Sequence, residues 1–162
     1  MAENTYELIS DEMLASVGKE GPTTTSEVDK STIRMFARSV GYTDPIYYDE
    51  AAAKAAGYRG LPCPPGYLGT PVFNPLRAAR GAAAPGGPQP KKPLTRVLNG
   101  GTEIEYFDDI CAGDVLTSAS HLAEVKEDQG RLGMMLISTN KTVYKNEAGK
   151  VVATATGTGL RY

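Results

Sequence analysis

The chain has 162 residues, of which 41% are hydrophobic, and a formal net charge of −2. That length predicts one domain with its own core, and the charge indicates no general attraction to nucleic acid or to an acidic membrane surface. The two cysteines fit neither a metal-binding spacing nor a disulfide framework, which favours a reducing, cytoplasmic setting. The sequence starts without the basic and apolar regions of an export signal, and no apolar run approaches the roughly 20 residues of a membrane span.

The start of the chain combines a helix pattern with a strand pattern. Within residues 1–16, the helical spacing of Ile9, Met13 and Leu14 predicts a short helix packed on the edge of the domain. The β-branched stretch 23–28 then predicts a short strand.

Two further helices are predicted, one on each side of a short turn. Asp29 or Ser31 can cap the first helix, because their side-chain oxygens can accept bonds from the free N–H groups of its first turn. Gly41 can end this helix, since glycine readily adopts the left-handed backbone of a C′ position. Asp49 can cap the second helix, residues 50–56. The first helix carries one apolar stripe at i, i+3, i+4 and i+7, namely Ile33, Phe36, Ala37 and Val40.

The middle of the chain is rich in proline and glycine. Three prolines predict that 61–65 is an extended connector, whereas 67–73 fits either a strand or the start of a buried helix. Residues 74–96 form a basic loop without an acidic residue, in which 77–84 can form a short helix. Such a loop is either a solvated surface segment or a flap whose cations meet phosphates. Its candidate phosphate-binding side chains are Arg77, Arg80, Lys91 and Lys92.

The last third of the chain has the pattern of an antiparallel sheet. Alternation over 102–107 and three longer runs joined by turn residues predict a meander. Strands of more than ten residues exceed the usual five or six and suit a curved sheet wrapped around a helix. Because helices fill the first half and strands the second, the fold class is predicted to be α+β. The long strands are 115–126, 131–144 and 151–161.

Side chains suited to catalysis are scarce. The sequence has no Gly-rich phosphate loop, no metal-binding cluster and no nucleophile elbow. Its only histidine, His121, lies in a predicted strand, where a packing or surface role is more typical than catalysis. The carboxylates between 103 and 114 are typical of strand edges and turns. Five of the nine tyrosines fall within 26 residues and predict either half-buried packing or the lining of an apolar slot or subunit interface; they are Tyr42, Tyr47, Tyr48, Tyr58 and Tyr67.

Two stretches of the first half resemble the MaoC-like dehydratase family, and in particular the N-terminal-type half of these hot-dog proteins. They read GYTDPIYYD over 41–49 and GYRGLPCPP over 57–65. Three later stretches support the resemblance: LNGG at 98–101, AGD at 112–114 and the hairpin YKNEAG at 144–149.

The resemblance covers about residues 15–162 and implies a fold. A single hot-dog domain is expected over 1–162, in which a curved antiparallel sheet wraps around a helix. Residues 1–16 would be an N-terminal segment of this domain, and 74–96 its Pro/Gly-rich basic loop.

The resemblance also implies an activity. Family members pair two hot dogs and act, in lipid metabolism, on enoyl or 3-hydroxyacyl thioesters of coenzyme A or acyl carrier protein. Catalytic members hold a water between the Asp and the His of a Gly-Asp-x-Asn-Pro-x-His pattern, and these two groups exchange protons with the substrate. In this chain the two positions fall on Tyr42 and Tyr47, with Asp44 in place of the Asn. A phenol, whose ordinary pKa is about 10, is a poor substitute for either group.

The chain is therefore expected to be a subunit of a heteromeric enoyl-CoA hydratase or 3-hydroxyacyl-thioester dehydratase that shapes the acyl tunnel without catalysing. A catalytic MaoC-like subunit, in a heterodimer or heterotetramer, would supply the Asp and the His. No cofactor and no metal are expected, because the substrate arrives as a thioester. The expected substrate-binding residues are Tyr42, Tyr47, Pro65, Tyr67 and Asn99, and the four cations of the basic loop would bind the phosphates of the carrier.

Two other functions fit the same residues. The chain could be a self-sufficient homodimeric hydratase or thioesterase that uses Tyr42, Tyr47 or His121 in an unorthodox site. It could also be a module that binds acyl thioesters without turnover. Turnover by the purified chain favours the first alternative, and saturable binding without turnover under any condition favours the second.

Overall fold

A single curled antiparallel sheet of six strands dominates the computed structural model, which describes residues 5–73, 75, 88–131 and 133–162. The strand order across the sheet is β2-β1-β4-β5-β6-β3. The strands are β1 (Thr24–Glu27), β2 (Thr70–Pro71), β3 (Val97–Tyr106), β4 (Val115–Gly130), β5 (Gly133–Lys145) and β6 (Val151–Arg161). The helices are α1 (Asp11–Ser16), α2 (Lys30–Ser39) and α3 (Glu50–Ala55), with a 3₁₀ helix, Pro45–Tyr47, between the last two.

The predicted meander is confirmed by β4, β5 and β6, which pair in sequence order. These strands have 16, 13 and 11 residues. Their ladders contain register shifts, one of them between Leu122 and Glu124. Because a bulge bends its strand and increases its twist, these irregularities help a long sheet to curl. The α+β hot-dog fold that the sequence implies is the observed one.

Two elements differ from the sequence-based expectation in extent. Strand β3 starts at Val97, five residues before the predicted start, and pairs with the outer side of β6. Residues 67–73, for which strand and helix were both open, contain only the two-residue strand β2. The short helix expected at 77–84 lies outside the described residues.

The helices fill one end of the concave face of the sheet. Ile33 of α2 and Ala53 of α3 are fully buried in a cluster with Leu116 of β4 and Val152 of β6. Burial of each large aliphatic side chain of this kind contributes about 1.5–3 kcal/mol to stability. The predicted apolar stripe of α2 therefore faces the sheet through Ile33 and Ala37, while Val40 remains half exposed.

A separate cluster covers the other end of the concave face. Leu8, Ile9 and Met13 from the N-terminal segment pack on Leu136 of β5, with Leu94 beside them. The described part of this segment therefore packs on the sheet through its apolar residues. None of the helices in the described ranges combines the length and the apolar character that a membrane crossing requires.

The carboxylate of Glu127 on β4 holds this N-terminal segment in place. It accepts hydrogen bonds from the backbone N–H groups of Glu7, Leu8 and Ile9. Although burial opposes the charged form, these donors keep the pKa of Glu127 below its ordinary value. Folding thus favours the ionised carboxylate.

We predict that Glu127→Gln lowers the free energy of unfolding by about 1 kcal/mol near neutral pH and speeds amide exchange at Leu8 and Ile9. Because the folded-state pKa is depressed, the contribution is complete above the ordinary carboxyl pKa and is lost as pH falls through the folded-state value. The difference between wild type and variant in urea unfolding should therefore stay constant from about pH 7 to about pH 5 and shrink as the pH falls further. Glu124→Gln, at an exposed site on the same strand, is the control. Unchanged exchange at both amides in Glu127→Gln would contradict this role.

Candidate functional site

The turn between α2 and α3 brings Tyr42 and Tyr47 together. Their ring centroids lie 5.7 Å apart and the rings are inclined by 27°, which is a stacked arrangement. Tyr47 ends the 3₁₀ helix, whose start is capped by the Asp44 carboxylate accepting a 3.1 Å hydrogen bond from the Ile46 N–H. The two tyrosines that the resemblance aligns with the Asp and the His of the catalytic pattern are thus in contact.

The ends of α2 and α3 are built in the same way, and each end positions a tyrosine. Gly41 and Gly57 follow the two helices with φ of +79° and +96°, a left-handed backbone that glycine adopts without strain. The next N–H donates back into the helix in each case, Tyr42 N to Ala37 O at 2.9 Å and Tyr58 N to Ala53 O at 3.0 Å. The backbone positions of both tyrosines are therefore fixed by the packed helices.

A cavity of about 170 Å³ opens beside Tyr47. It is lined by three phenols, two carboxylates, a thiol and apolar rings and side chains: Tyr47, Tyr58, Tyr106, Asp108, Asp109, Cys63, Pro62, Pro65 and Ile110. Tyr42 contributes through its stacking on Tyr47. We call this the tyrosine cavity. It combines residues from the turn, from the connector after α3, and from the end of β3 with the segment that follows it.

Two extended segments form one wall of the tyrosine cavity. Cys63 N donates to Ile110 O at 2.7 Å, and Ala112 N donates to Leu61 O at 2.8 Å, so the connector pairs with the segment after β3. This pairing agrees with the predicted extended connector at 61–65. The wall carries both Cys63 and Ile110 into the lining.

Arg59 fixes this wall from outside. Its guanidinium makes a bidentate ion pair with Asp114 and donates from Nη2 to the backbone oxygen of Asp109 at 3.2 Å. The Asp114 carboxylate, whose side chain is only 14% exposed, also accepts a 2.9 Å bond from Cys111 N. The hydrogen bonds to Asp114 raise the pKa of Arg59 above its ordinary value. Arg59 therefore positions the backbone that presents Asp109 to the tyrosine cavity.

Burial favours the neutral form of three groups that line the tyrosine cavity, the phenols of Tyr47 and Tyr106 and the thiol of Cys63. Burial raises the pKa of Tyr47, with a further contribution from the charge of Asp44, and burial likewise raises the pKa of Tyr106. The Cys63 thiol has its pKa raised by burial to about 12. These groups can donate hydrogen bonds, but they are poor bases and nucleophiles at neutral pH.

The structure places the remaining predicted substrate-binding residues in different surroundings. Pro65 lines the tyrosine cavity. The Tyr67 hydroxyl instead donates to Thr32 Oγ1 at 2.6 Å, and its ring packs on Phe36. Asn99 accepts a 2.9 Å bond from Gly101 N at the bulge of β3. A role in substrate binding stays a prediction for all of these residues.

The predicted carrier-binding cations are only partly described. Arg77 and Arg80 lie outside the described residues. Lys92 forms an ion pair with Glu7 at 2.6 Å, and Lys91 donates from Nζ to Tyr6 O at 2.8 Å. Both lysines therefore contact the N-terminal segment, and their binding of carrier phosphates stays a prediction.

Sequence reasoning missed Tyr106, Asp109 and Arg59 as parts of the site. Tyr58 was noted among the clustered tyrosines, and the Gly-Tyr pair that follows each helix was a usable signal for it. No local pattern linked Tyr106 or Asp109 to the turn, because strand pairing brings them there. Within the part of the chain that the structure describes, no group of three or more His, Cys, Asp and Glu residues is arranged to hold a metal ion.

Comparison with known proteins identifies a family. A family model described as the FAS1-like dehydratase domain region matches residues 15–155. A protein of Streptomyces avermitilis named only as a UPF0336 protein is 34% identical over 134 residues, which cover 83% of each chain. The predicted membership of the MaoC-like dehydratases is confirmed by the family match and by the shared fold of solved MaoC-like structures.

Two solved complexes from Mycobacterium tuberculosis contain chains of similar fold. A chain of the ChsH1-ChsH2 complex matches with a TM-score of 0.70 and 20% identity, covering 94% of both chains. A chain of the HadBC complex, titled a 3R-hydroxyacyl-ACP dehydratase, matches with a TM-score of 0.63 and 19% identity, covering 89% of this chain and 96% of that one. At these identities the likeness shows the fold.

Replacing Arg59 tests the wall of the tyrosine cavity. Arg59→Ala leaves the largely buried Asp114 without its cation, and we expect a loss of about 1–3 kcal/mol in the free energy of unfolding together with faster amide exchange at Cys111. Lys30→Ala is the matched control, because it breaks the exposed ion pair with Glu50, and it should cost clearly less than Arg59→Ala. Equal costs for the two variants in urea unfolding would show that Arg59 is an ordinary surface residue.

Proposed function

The chain belongs to the family of FAS1-like dehydratase domains, and from that premise we propose that it is a subunit of a heteromeric enoyl-CoA hydratase or 3-hydroxyacyl-thioester dehydratase. It shapes the acyl tunnel, while a partner hot-dog subunit supplies the Asp and the His. The observation that carries the proposal is the stacked pair of phenols, Tyr42 and Tyr47, at the two positions of the acid and the base.

Hydration of an enoyl thioester requires one group that takes a proton from water and one that gives a proton to carbon. Both must titrate near the working pH, and phenols titrate at about 10. Burial raises the pKa of Tyr47 further, which makes it a weaker acid still. Tyr47 is therefore suited to line a tunnel or to donate a hydrogen bond, and the proton transfer falls to another chain.

The free edge of β3 supports a partner subunit. The strand lies at the border of the sheet and pairs on one side with β6. Every residue of β3 except Ile104 is exposed, including Val97 and Leu98, which are 68% and 50% exposed. An edge with open backbone groups and exposed apolar side chains is a template for another strand.

This edge and the tyrosine cavity are continuous, because Tyr106 at the end of β3 lines the cavity. A hot-dog subunit added along β3 would therefore lie beside the cavity and could bring its own acid and base to it. The two similar solved chains come from complexes of two named components, which supports a heteromeric assembly.

The free thiols of Cys63 and Cys111 fit the reducing cytoplasm in which we place the enzyme.

Co-expression with a MaoC-like chain that retains both the Asp and the His tests this assembly. We expect a stable complex of the two chains in sedimentation and native mass spectrometry. Leu98→Glu should weaken the association by about tenfold or more, because it places a charge in the apolar edge.

Leu14→Glu, which adds the same charge at an exposed leucine of α1, is the control and should leave association unchanged. A monodisperse homodimer that ignores every such partner would overturn the proposal.

A further inference from the structure

Two glutamates on the edge strand β3 have no cation beside them. Glu103 and Glu105 are both exposed. On the one side where β3 is paired, they face Thr156 and Thr154 of β6. Neither carboxylate forms an ion pair with any other residue that the structure describes. We call these two glutamates the acidic pair.

The acidic pair lies on one face of the strand, because residues two apart in a strand point to the same side of the sheet. Ile104 and Tyr106 lie on the opposite face, where Tyr106 lines the tyrosine cavity. Two charges of one sign therefore stand side by side along the free border of the sheet, on the face that the cavity does not use. A cation can reach them there only from a strand added outside β3.

The residues around the acidic pair add further negative charge. Between positions 97 and 114 the sequence has five acidic residues and no Lys, Arg or His. Two of the five are paired within the fold, Asp108 with Lys150 and Asp114 with Arg59. The charge that β3 presents to an incoming strand is therefore negative.

A second copy of this chain fits the free edge poorly. In a symmetric dimer built on β3 the same strand is present twice, so both copies bring their acidic pair to one joint. The nearest cation in the sequence is Arg96, just before β3, and its guanidinium carbon already lies 5.8 Å from the centre of the Tyr162 ring. Because like charges on neighbouring strands repel each other, the acidic pair opposes this dimer.

A strand with basic residues fits the same edge well. Residues directly opposite each other on two antiparallel strands have Cβ atoms about 4.5–5.5 Å apart, which is within reach of an ion pair. Two cations at alternate positions of an added strand would therefore meet both carboxylates of the acidic pair. Complementary charge of this kind favours one partner over others and fixes the register.

We infer that the acidic pair selects the partner. The strand that docks on β3 carries Lys or Arg at two alternate positions facing Glu103 and Glu105, and the same two glutamates disfavour a second copy of this chain. The identification of the docking strand as part of a catalytic hot-dog subunit rests on the proposed function.

Charge reversal tests this selection without any partner. The variant Glu103→Lys/Glu105→Lys is mixed with ¹⁵N-labelled wild type and the dimers are counted by native mass spectrometry. We expect the mixed dimer to exceed both homodimers by about tenfold or more at low salt. The excess should vanish in about 1 M ammonium acetate, where screening limits charge interactions to about 3 Å. Statistical mixing at low salt, or no mixed dimer at all, would overturn the inference.

Glu124→Lys/Asp128→Lys is the matched control. It makes the same change of net charge at two exposed positions of β4, which β5 and β6 separate from β3. Mixed with the wild type, this variant should show no preference for the mixed dimer. An equal preference in the control would show that net charge, and not the acidic pair, selects the neighbour.

Association with a catalytic chain separates this inference from the proposed function. For a MaoC-like chain that binds the wild type, Glu103→Lys/Glu105→Lys should weaken binding by about tenfold or more, and the milder Glu103→Gln/Glu105→Gln should weaken it by less. If the reversed variant binds this chain as tightly as the wild type does, the inference is wrong and the function stands. If the mixed dimer forms as expected but no hot-dog partner associates, the charge selection is as inferred and the proposed function is wrong.

Discussion

The packing of α2 and α3 into the curl of the sheet determines the rest of the structure. Ile33 and Ala53 are fully buried against β4 and β6, and this burial fixes the position of the two helices on the sheet. Both ends of the turn between the helices are therefore anchored in the core. Tyr42 and Tyr47 are consequently held in contact by the fold itself.

The same constraint places two phenols at the positions that the resemblance aligns with the acid and the base. The turn between α2 and α3 places the side chains of Tyr42 and Tyr47 together beside the tyrosine cavity, as a catalytic site would require. Both side chains are phenols, a group that ordinarily titrates far above neutral pH, and burial raises the pKa of Tyr47 further. What remains is a shaped, hydrogen-bonding surface next to the open edge of β3. In the function proposed above, another chain brings the proton-transfer groups to this surface.

Local signals in the sequence predicted the helices and their ends. Asp29 and Asp49 cap α2 and α3 as expected, and Gly41 ends α2 with a left-handed backbone. The start of β3 was predicted too late, at 102, because the alternating pattern begins only after the Gly-Gly pair. In the structure this pair is a bulge inside the strand, where a Cβ on Gly100 would lie 2.6 Å from Leu160 Cδ1.

The cavity and the ion pairs could not be predicted because their partners are remote in the sequence. Tyr106 and Asp109 reach the turn only through the pairing of β3 with β6 and of the connector with the segment after β3. The basic composition of 74–96 suggested phosphate binding. Composition does not reveal, however, that Lys92 forms an ion pair with Glu7, which lies 85 residues away in the sequence. Hydrophobic periodicity alone predicted only the α+β class, and the resemblance to the MaoC-like family specified the hot-dog fold within it.

Hydration of an enoyl thioester by the separately purified chains and by their mixture is the most direct measurement of the central claim. The account predicts that this chain alone shows no turnover of a crotonyl or longer enoyl thioester. It also predicts that the mixture with a MaoC-like chain retaining its Asp and His is active, and that Tyr47→Phe leaves the pH dependence of that activity unchanged. Turnover by this chain alone, abolished by Tyr47→Phe, would contradict the account.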